Sequence, residues 1–256
     1  MAYRFPVALL ALVTVFAAFP VSASPVTFTI DSTQSQISLA IELTDGTPIS
    51  TAQSPGSDTT TLFGTAQVDI SPTSIQFFAS GNGQFALQPE PQSPLADGTS
   101  GSAPAQYGLT IDIPGIGGGA GAVRQLVGDV TSSSLPLTGD SFDSTQLAMQ
   151  FLTGSIAYNL NLLGTPVVGS ADITFPVTNQ ASGGTLTVVG GQYVINIPIL
   201  AVGEGDVDGI TLLGVYTGQI VATAPVPEPT TAALVVAACC TWGVWRLRRD
   251  RRSEMQ

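Results

Sequence analysis

Apolar residues recur at every second position in run after run of this chain, and almost nowhere at the three- and four-residue spacing of a helix. Ile37, Leu39, Ile41 and Leu43 alternate with Ser38, Ala40 and Glu42. A period of two places successive side chains on opposite faces, so each such run predicts a strand with one face turned to a core. The pattern returns from Leu62 to Ile70, Tyr107 to Ile113, Ile156 to Leu162, Val167 to Phe175, Tyr193 to Ile199 and Ile210 to Ala222. Turn pairs separate the runs, among them Asp45-Gly46, Pro55-Gly56, Asn82-Gly83, Asp97-Gly98, Gly139-Asp140, Gly183-Gly184 and Gly190-Gly191. Many short alternating strands joined by glycine-rich turns predict an all-β fold, an antiparallel sandwich or barrel. One segment departs from the pattern: Ser144 to Leu152 reads as a short helix. Pro89 to Ala105 and the glycine-dominated Pro114 to Ala122 read as long loops. Strand pattern of the same character resumes after each, so residues 24–224 read as one domain.

Charge narrows what that domain can do. Between Ser24 and Pro225 fifteen acids stand against a single base, Arg124, for a net charge of −14. Such a surface repels nucleic acid, and without cations no counterion release can compensate. The same span holds no His, Lys or Cys. That removes Ser-His-Asp and Cys-His nucleophiles, His-bound zinc, a Lys Schiff base and structural disulfides. Paired carboxylates are the remaining route to catalysis. Most of the acids fall at turns or strand ends, where solvation explains them. The chain therefore reads as no enzyme and as needing no cofactor.

Both ends differ from the body. Arg4 precedes an apolar run from Val7 to Phe19, and Val21-Ser22-Ala23 supplies small residues for cleavage after Ala23. This pattern predicts a signal peptide over 1–23, handled by secretion machinery and signal peptidase. At the other end Thr230 to Trp245 is apolar. As a helix it would be about 24 Å long, short for a full bilayer core unless flanking arginines snorkel. Arg246, Arg248, Arg249, Arg251 and Arg252 follow at once. They predict a single apolar helix halted in the membrane with its C-terminus in the cytoplasm. Cys239 and Cys240 inside the run read as small packing residues.

Ahead of that helix, Pro225, Pro227 and Pro229 hold the backbone extended. The order Val226-Pro227-Glu228-Pro229, apolar helix, arginine cluster resembles the PEP-CTERM sorting signal, over residues 225–256. The resemblance implies recognition of Glu228 and its flanking prolines by an exosortase, cleavage near the motif, and delivery to the cell surface or extracellular matrix. A second resemblance lies at the start of the body. Phe28-Thr29-Ile30-Asp31-Ser32-Thr33-Gln34-Ser35, followed by Ile37, Leu39 and Ile41, is similar to the opening of the YceI-like family. That family consists of periplasmic, lipocalin-like β-barrels, some of which bind a polyisoprenoid, and Gln34 stands where its usual His would be. The stretch also resembles the opening strand of other PEP-CTERM β-proteins.

Two motifs carry weaker chemistry. Acids at alternate positions before a glycine, Glu204, Asp206 and Asp208, resemble the start of a calcium loop and are candidate ligands for a weak Ca²⁺ site. Position 215, where a closing bidentate Glu belongs, is Val215, so a solvated hairpin tip is the plainer reading. Pro114 to Gly121 superficially matches a dinucleotide loop, but no helical pattern follows it. The expectation is an exported surface or matrix protein with a structural or adhesive β-domain, with exopolysaccharide or envelope components as partners. The alternative is a β-domain that binds a lipid or glycan. Trp242 and Trp245 both sit in the tail, while Tyr107, Tyr158, Tyr193 and Tyr216 alternate with aliphatics and are expected to point inward.

Overall fold

A computed structural model describes residues 25–52, 59–87, 107–174, 176–207 and 209–227. Sixteen strands make up its regular structure: β1 (Val26–Ile30), β2 (Gln36–Leu43), β3 (Ser50–Ala52), β4 (Thr60–Ser71), β5 (Ser74–Phe78), β6 (Phe85–Leu87), β7 (Tyr107–Ile113) and β8 (Gly117–Thr131). They continue with β9 (Leu135–Pro136), β10 (Ser141–Phe142), β11 (Ala148–Leu162), β12 (Thr165–Asp172), β13 (Pro176–Thr178), β14 (Gly184–Val189), β15 (Gln192–Val207) and β16 (Ile210–Pro225). Every ladder is antiparallel. The expected all-β, antiparallel class is what the alternation produces.

The ladders run β1 to β4, β6, β8, β11 and β13 in turn, and β15 to β16 and back to β1. An isolated bridge between Asn179 and Ala201, with Gln180 N donating to Leu200 O at 2.7 Å, joins the segment after β13 to β15. The path therefore returns to its start as a barrel-like ring, its members in chain order. β2 prolongs β1 along β16. Between them Asp31 to Ser35 form a turn whose Asp31 carboxylate accepts from Thr33 N (2.9 Å), Thr33 Oγ1 (2.6 Å) and Gln34 Nε2 (2.6 Å). Ser35, fully buried, pins that turn to β16 by donating to Val221 O and accepting from Val221 N.

The seam between β13 and β15 depends on one buried side chain. Asn179 donates to Ser144 O (3.2 Å), Ala181 O (3.3 Å) and Pro198 O (2.8 Å), and accepts from Leu200 N (2.9 Å) and Ala181 N (3.2 Å). A buried amide with its hydrogen bonds made holds the strands at a fixed register, because no other register satisfies them.

The ring has two unlike ends. At one lie the tips 71–74 and 189–192, the start of β1 and the end of β16. The segment 132–147 runs there from β5, which β9 pairs, to β14, which β10 pairs. It buries Leu135, Phe142 and Leu147, and Phe142 packs on Phe77 with ring centroids 5.9 Å apart. Phe28, Phe77, Phe85, Val130 and Ile195 fill the interior above it and leave a void of only about 20 Å³, room for a single water.

Two expectations fail. Ser144 to Leu152 is no α-helix: Ser144–Gln146 is one 3₁₀ turn capped by Asp143, and β11 begins at Ala148. Its apparent helical run is a strand whose Met149 and Phe151 point to the core. Pro114 to Ala122 is no loop either, since only the 113–117 tip is a turn and Gly117–Ala122 lie within β8. Glycine is required in that strand by close backbone approach. A Cβ on Gly119 would overlap the carbonyl oxygen of Asn159 on β11. The segments 88–106 and 53–58, with Pro55-Gly56 and Asp97-Gly98, lie outside the described residues.

Candidate functional site

The other end of the ring gathers the tips between β2 and β3, β7 and β8, β11 and β12, and β15 and β16. Its interior is not filled. The inward positions of β15, read from the closed end, are Tyr193, Ile195, Ile197, Ile199, Ala201, Gly203 and Gly205, each paired with an inward residue of β16. Side-chain volume therefore falls to nothing along one strand. β8 does the same, with Val123 giving way to Gly121, Gly119 and Gly117 opposite Tyr158, Leu160 and Leu162 of β11. Where two walls of a ring lose their side chains, the facing aliphatics cannot meet.

The result is a cavity of about 190 Å³. It is walled by Ile41, Ile111, Ile113, Ile156, Tyr158, Leu160, Leu162, Ala171, Ile173, Ile210, Leu212, Gly214 and Tyr216, with Asp172, Gly203, Gly205 and Asp206 completing the lining. A dry apolar cavity of about 150 Å³ suffices to hold benzene. β12 ladders only with β11, and β15 from Val202 onward only with β16, so among the described residues no ladder joins β12 to this part of β15. That side of the mouth is a slit.

Polar groups at the cavity are few. Tyr216 is 2% exposed, and its ring lies 4.9 Å from that of Phe151, itself against Phe85. Its hydroxyl has no hydrogen-bond partner among the described residues. Burial pushes that hydroxyl well above the usual tyrosine range, so it stays protonated. Asp172 is exposed at the rim, and hydrogen bonds from the Thr174 side chain and backbone hold its carboxyl below the ordinary aspartate value. Asp206 Oδ1 accepts from Gly209 N at 2.9 Å and so braces the β15–β16 tip.

Glu204 and Asp206 are exposed positions of β15 opposite Leu213 and Thr211, and Asp208 lies outside the described residues. Among the described residues no group of three or more His, Cys, Asp or Glu could hold a metal. Val226 and Pro227 emerge at the closed end, with Val226 N donating to Gly191 O at 3.1 Å. The remaining sorting-signal residues Glu228 and Pro229, the stop-transfer arginines Arg246, Arg248, Arg249, Arg251 and Arg252, and the cleavage residue Ala23 lie outside the described residues. No helix among the described residues is long and apolar enough to cross a membrane.

Of the tyrosines, Tyr193 packs on Phe28 at 6.3 Å, Tyr158 lines the cavity and Tyr216 is buried beneath it. The Tyr107 side chain lies outside those described. The sequence alternation marks Ile41, Tyr158 and Tyr216 as inward-facing without showing that they border a cavity. Its one available signal was the descending series of inward residues on β15, which becomes visible only once the strand is read as a single sixteen-residue element. The comparisons add no relative: no protein-family model, curated protein or solved structure matches this chain.

Proposed function

We propose that this chain is an exported envelope or surface protein whose strand ring binds a small apolar molecule in its mouth. The observation that carries the binding role is the cavity itself, which is apolar-walled, too large for one or two waters, and reached from the open end of the ring. Ligand sites are typically concave and mostly apolar with a few placed polar groups, and the lining follows that rule. Export and surface delivery are supported by the two ends of the sequence, from Arg4 to Ala23 and from Val226 to Arg252.

Solvent extracts of the purified full chain, analysed by gas chromatography and mass spectrometry, test the binding role. A Gly214→Leu variant, which fills the cavity, is the control. A compound present in the wild-type extract and missing from the variant is expected; identical extracts would sink the reading. The sorting role is tested by the mass of the chain recovered from the cell surface. An end between Pro227 and Thr230 is expected, whereas a chain still ending at Gln256 and held in the membrane would make the tail a permanent anchor.

A structural or adhesive role has one observation of its own. Among the described residues β12 has one edge without a partner strand, beside Leu163, which is 80% exposed, and carries Val168 at 59%. Exposed edges of this kind accept further strands.

A further inference from the structure

Resting on the ligand-binding reading above, we infer that the cavity selects an uncharged, compact molecule with one hydrogen-bond-accepting oxygen, and that the Tyr216 hydroxyl is its anchor. Tyr216 is almost fully buried, and its hydroxyl, which has no hydrogen-bond partner among the described residues, is left facing the cavity space rather than sealed in protein. Buried hydroxyls in folded proteins nearly always have one, supplied by protein, water or ligand. A Cβ placed on Gly214, a residue of the cavity wall, would stand 3.6 Å from that oxygen. The hydroxyl therefore borders the empty space. Because the phenol remains protonated, it offers a donor to an incoming carbonyl, ether or alcohol oxygen.

Charge decides the rest. Among the described residues the cavity lining contains no cation, and its two carboxylates, Asp172 and Asp206, stand at the rim. A fatty acid or phosphate would have to shed its hydration beside like charge and find no counter-ion inside. An uncharged body meets Ile41, Ile111, Ile113, Leu160 and Leu212 at no such cost. The volume suits a single ring or a short branched chain, whereas a long acyl chain would leave most of its length outside.

The test uses the full chain in lipid nanodiscs with ¹³C-labelled isoleucine methyls, since six wall residues are isoleucines, at 41, 111, 113, 156, 173 and 210. Three probes share one body: 4-methylcyclohexanone, methylcyclohexane and 4-methylcyclohexanecarboxylate at pH 7. The ketone is expected to shift those methyls at a severalfold lower concentration than the hydrocarbon, and the carboxylate at least tenfold higher than the ketone. Tyr216→Phe should erase most of the ketone's advantage, a factor of about 2–10 for one net hydrogen bond, and leave methylcyclohexane unchanged.

Equal binding of ketone and hydrocarbon, with no response to Tyr216→Phe, overturns the anchor while the ligand-binding reading survives. A carboxylate as tight as the ketone overturns the selection against charge. Silence of the wall methyls to all three probes overturns both readings together. Stability gives a separate check, because removing a hydroxyl with no protein partner should leave the urea midpoint unchanged or higher. A clear fall in that midpoint for Tyr216→Phe would mean the hydroxyl already has a protein partner, and the anchor is lost.

Discussion

At the closed end of the ring the inward face of β15 carries Tyr193, Ile195, Ile197 and Ile199; centred about 23 Å further along, at about 3.3 Å per residue, the same face carries Ala201, Gly203 and Gly205. Both halves keep the alternation, and both are walled by aliphatic neighbours. One retains a void of about 20 Å³ and the other a cavity of about 190 Å³. The contrast separates two properties that sequence patterns merge. Alternation fixes which way a side chain points, whereas packing depends on how much volume arrives from all walls together. The closed end receives phenylalanines from four strands and a crossing segment. The mouth receives glycines from three strands at once, β8, β15 and β16.

The largest effect should come from the residue that separates the two halves. Phe151 touches Phe85 on the closed side and Tyr216 on the cavity side, so Phe151→Ala would merge the two spaces. A loss of roughly 3–5 kcal/mol in urea denaturation is expected; a loss under about 1 kcal/mol would mean the halves are not packed through this ring. Next in size is the seam. Asn179→Ala leaves the Leu200 N–H and the Pro198 carbonyl without their partner, and roughly 2–3 kcal/mol should be lost. Hydrogen exchange at Leu200 should quicken in parallel, and unchanged protection there would break the account of how the ring closes.

The same small change should then have opposite outcomes at the two ends. A Cβ on Gly128 would drive into the Phe85 ring, so Gly128→Ala should cost roughly 1–2 kcal/mol by overpacking. A Cβ on Gly214 meets nothing nearer than 3.4 Å, so Gly214→Ala should be neutral or gain about 0.5 kcal/mol. Equal losses at the two positions would erase the comparison.

The smallest effect concerns acid, and it should appear at both ends. Asp143 caps the 3₁₀ turn at the closed end, and hydrogen bonds from the Gln146 and Thr145 side chains hold its carboxyl low. Asp172 at the mouth is held low through Thr174. A carboxyl lowered in the folded state binds protons more readily when unfolded, so its contribution is complete above the ordinary aspartate value near 3.9. That contribution disappears as pH falls through the lower folded value. Both groups are exposed, so the effect is small and weakens with salt. Replacing both by Asn should flatten the acid limb of the stability profile between about pH 4 and 2, and an unaltered limb would refute their role.

How much of this was legible beforehand differs by level. The strands, their inward residues and many of the tips follow from alternation and turn chemistry, because both are local. Ser144 to Leu152 misled because Leu147, Met149 and Phe151 are spaced by two while Ala148 and Leu152 blur the period. Gly117 to Gly121 misled because glycine is a loop former in isolation. Within β8 it is there because neighbouring carbonyls occupy the space of a Cβ. Asn179 gave no sign of its weight, since its partners at 144, 181, 198 and 200 are brought to it only by the ring.

The sequence by itself determined the all-β class, the faces of the strands, the poverty of catalytic groups and the acidic surface, since each depends on residue type and near neighbours alone. Only the tertiary structure decided that the strands join into a ring, that the glycines of β8, β15 and β16 gather at one end, and that Tyr216 is left there with a hydroxyl unmatched among the described residues. Those outcomes depend on which residues meet across distant stretches of chain, and a pairing register is a property of two strands that neither one encodes alone.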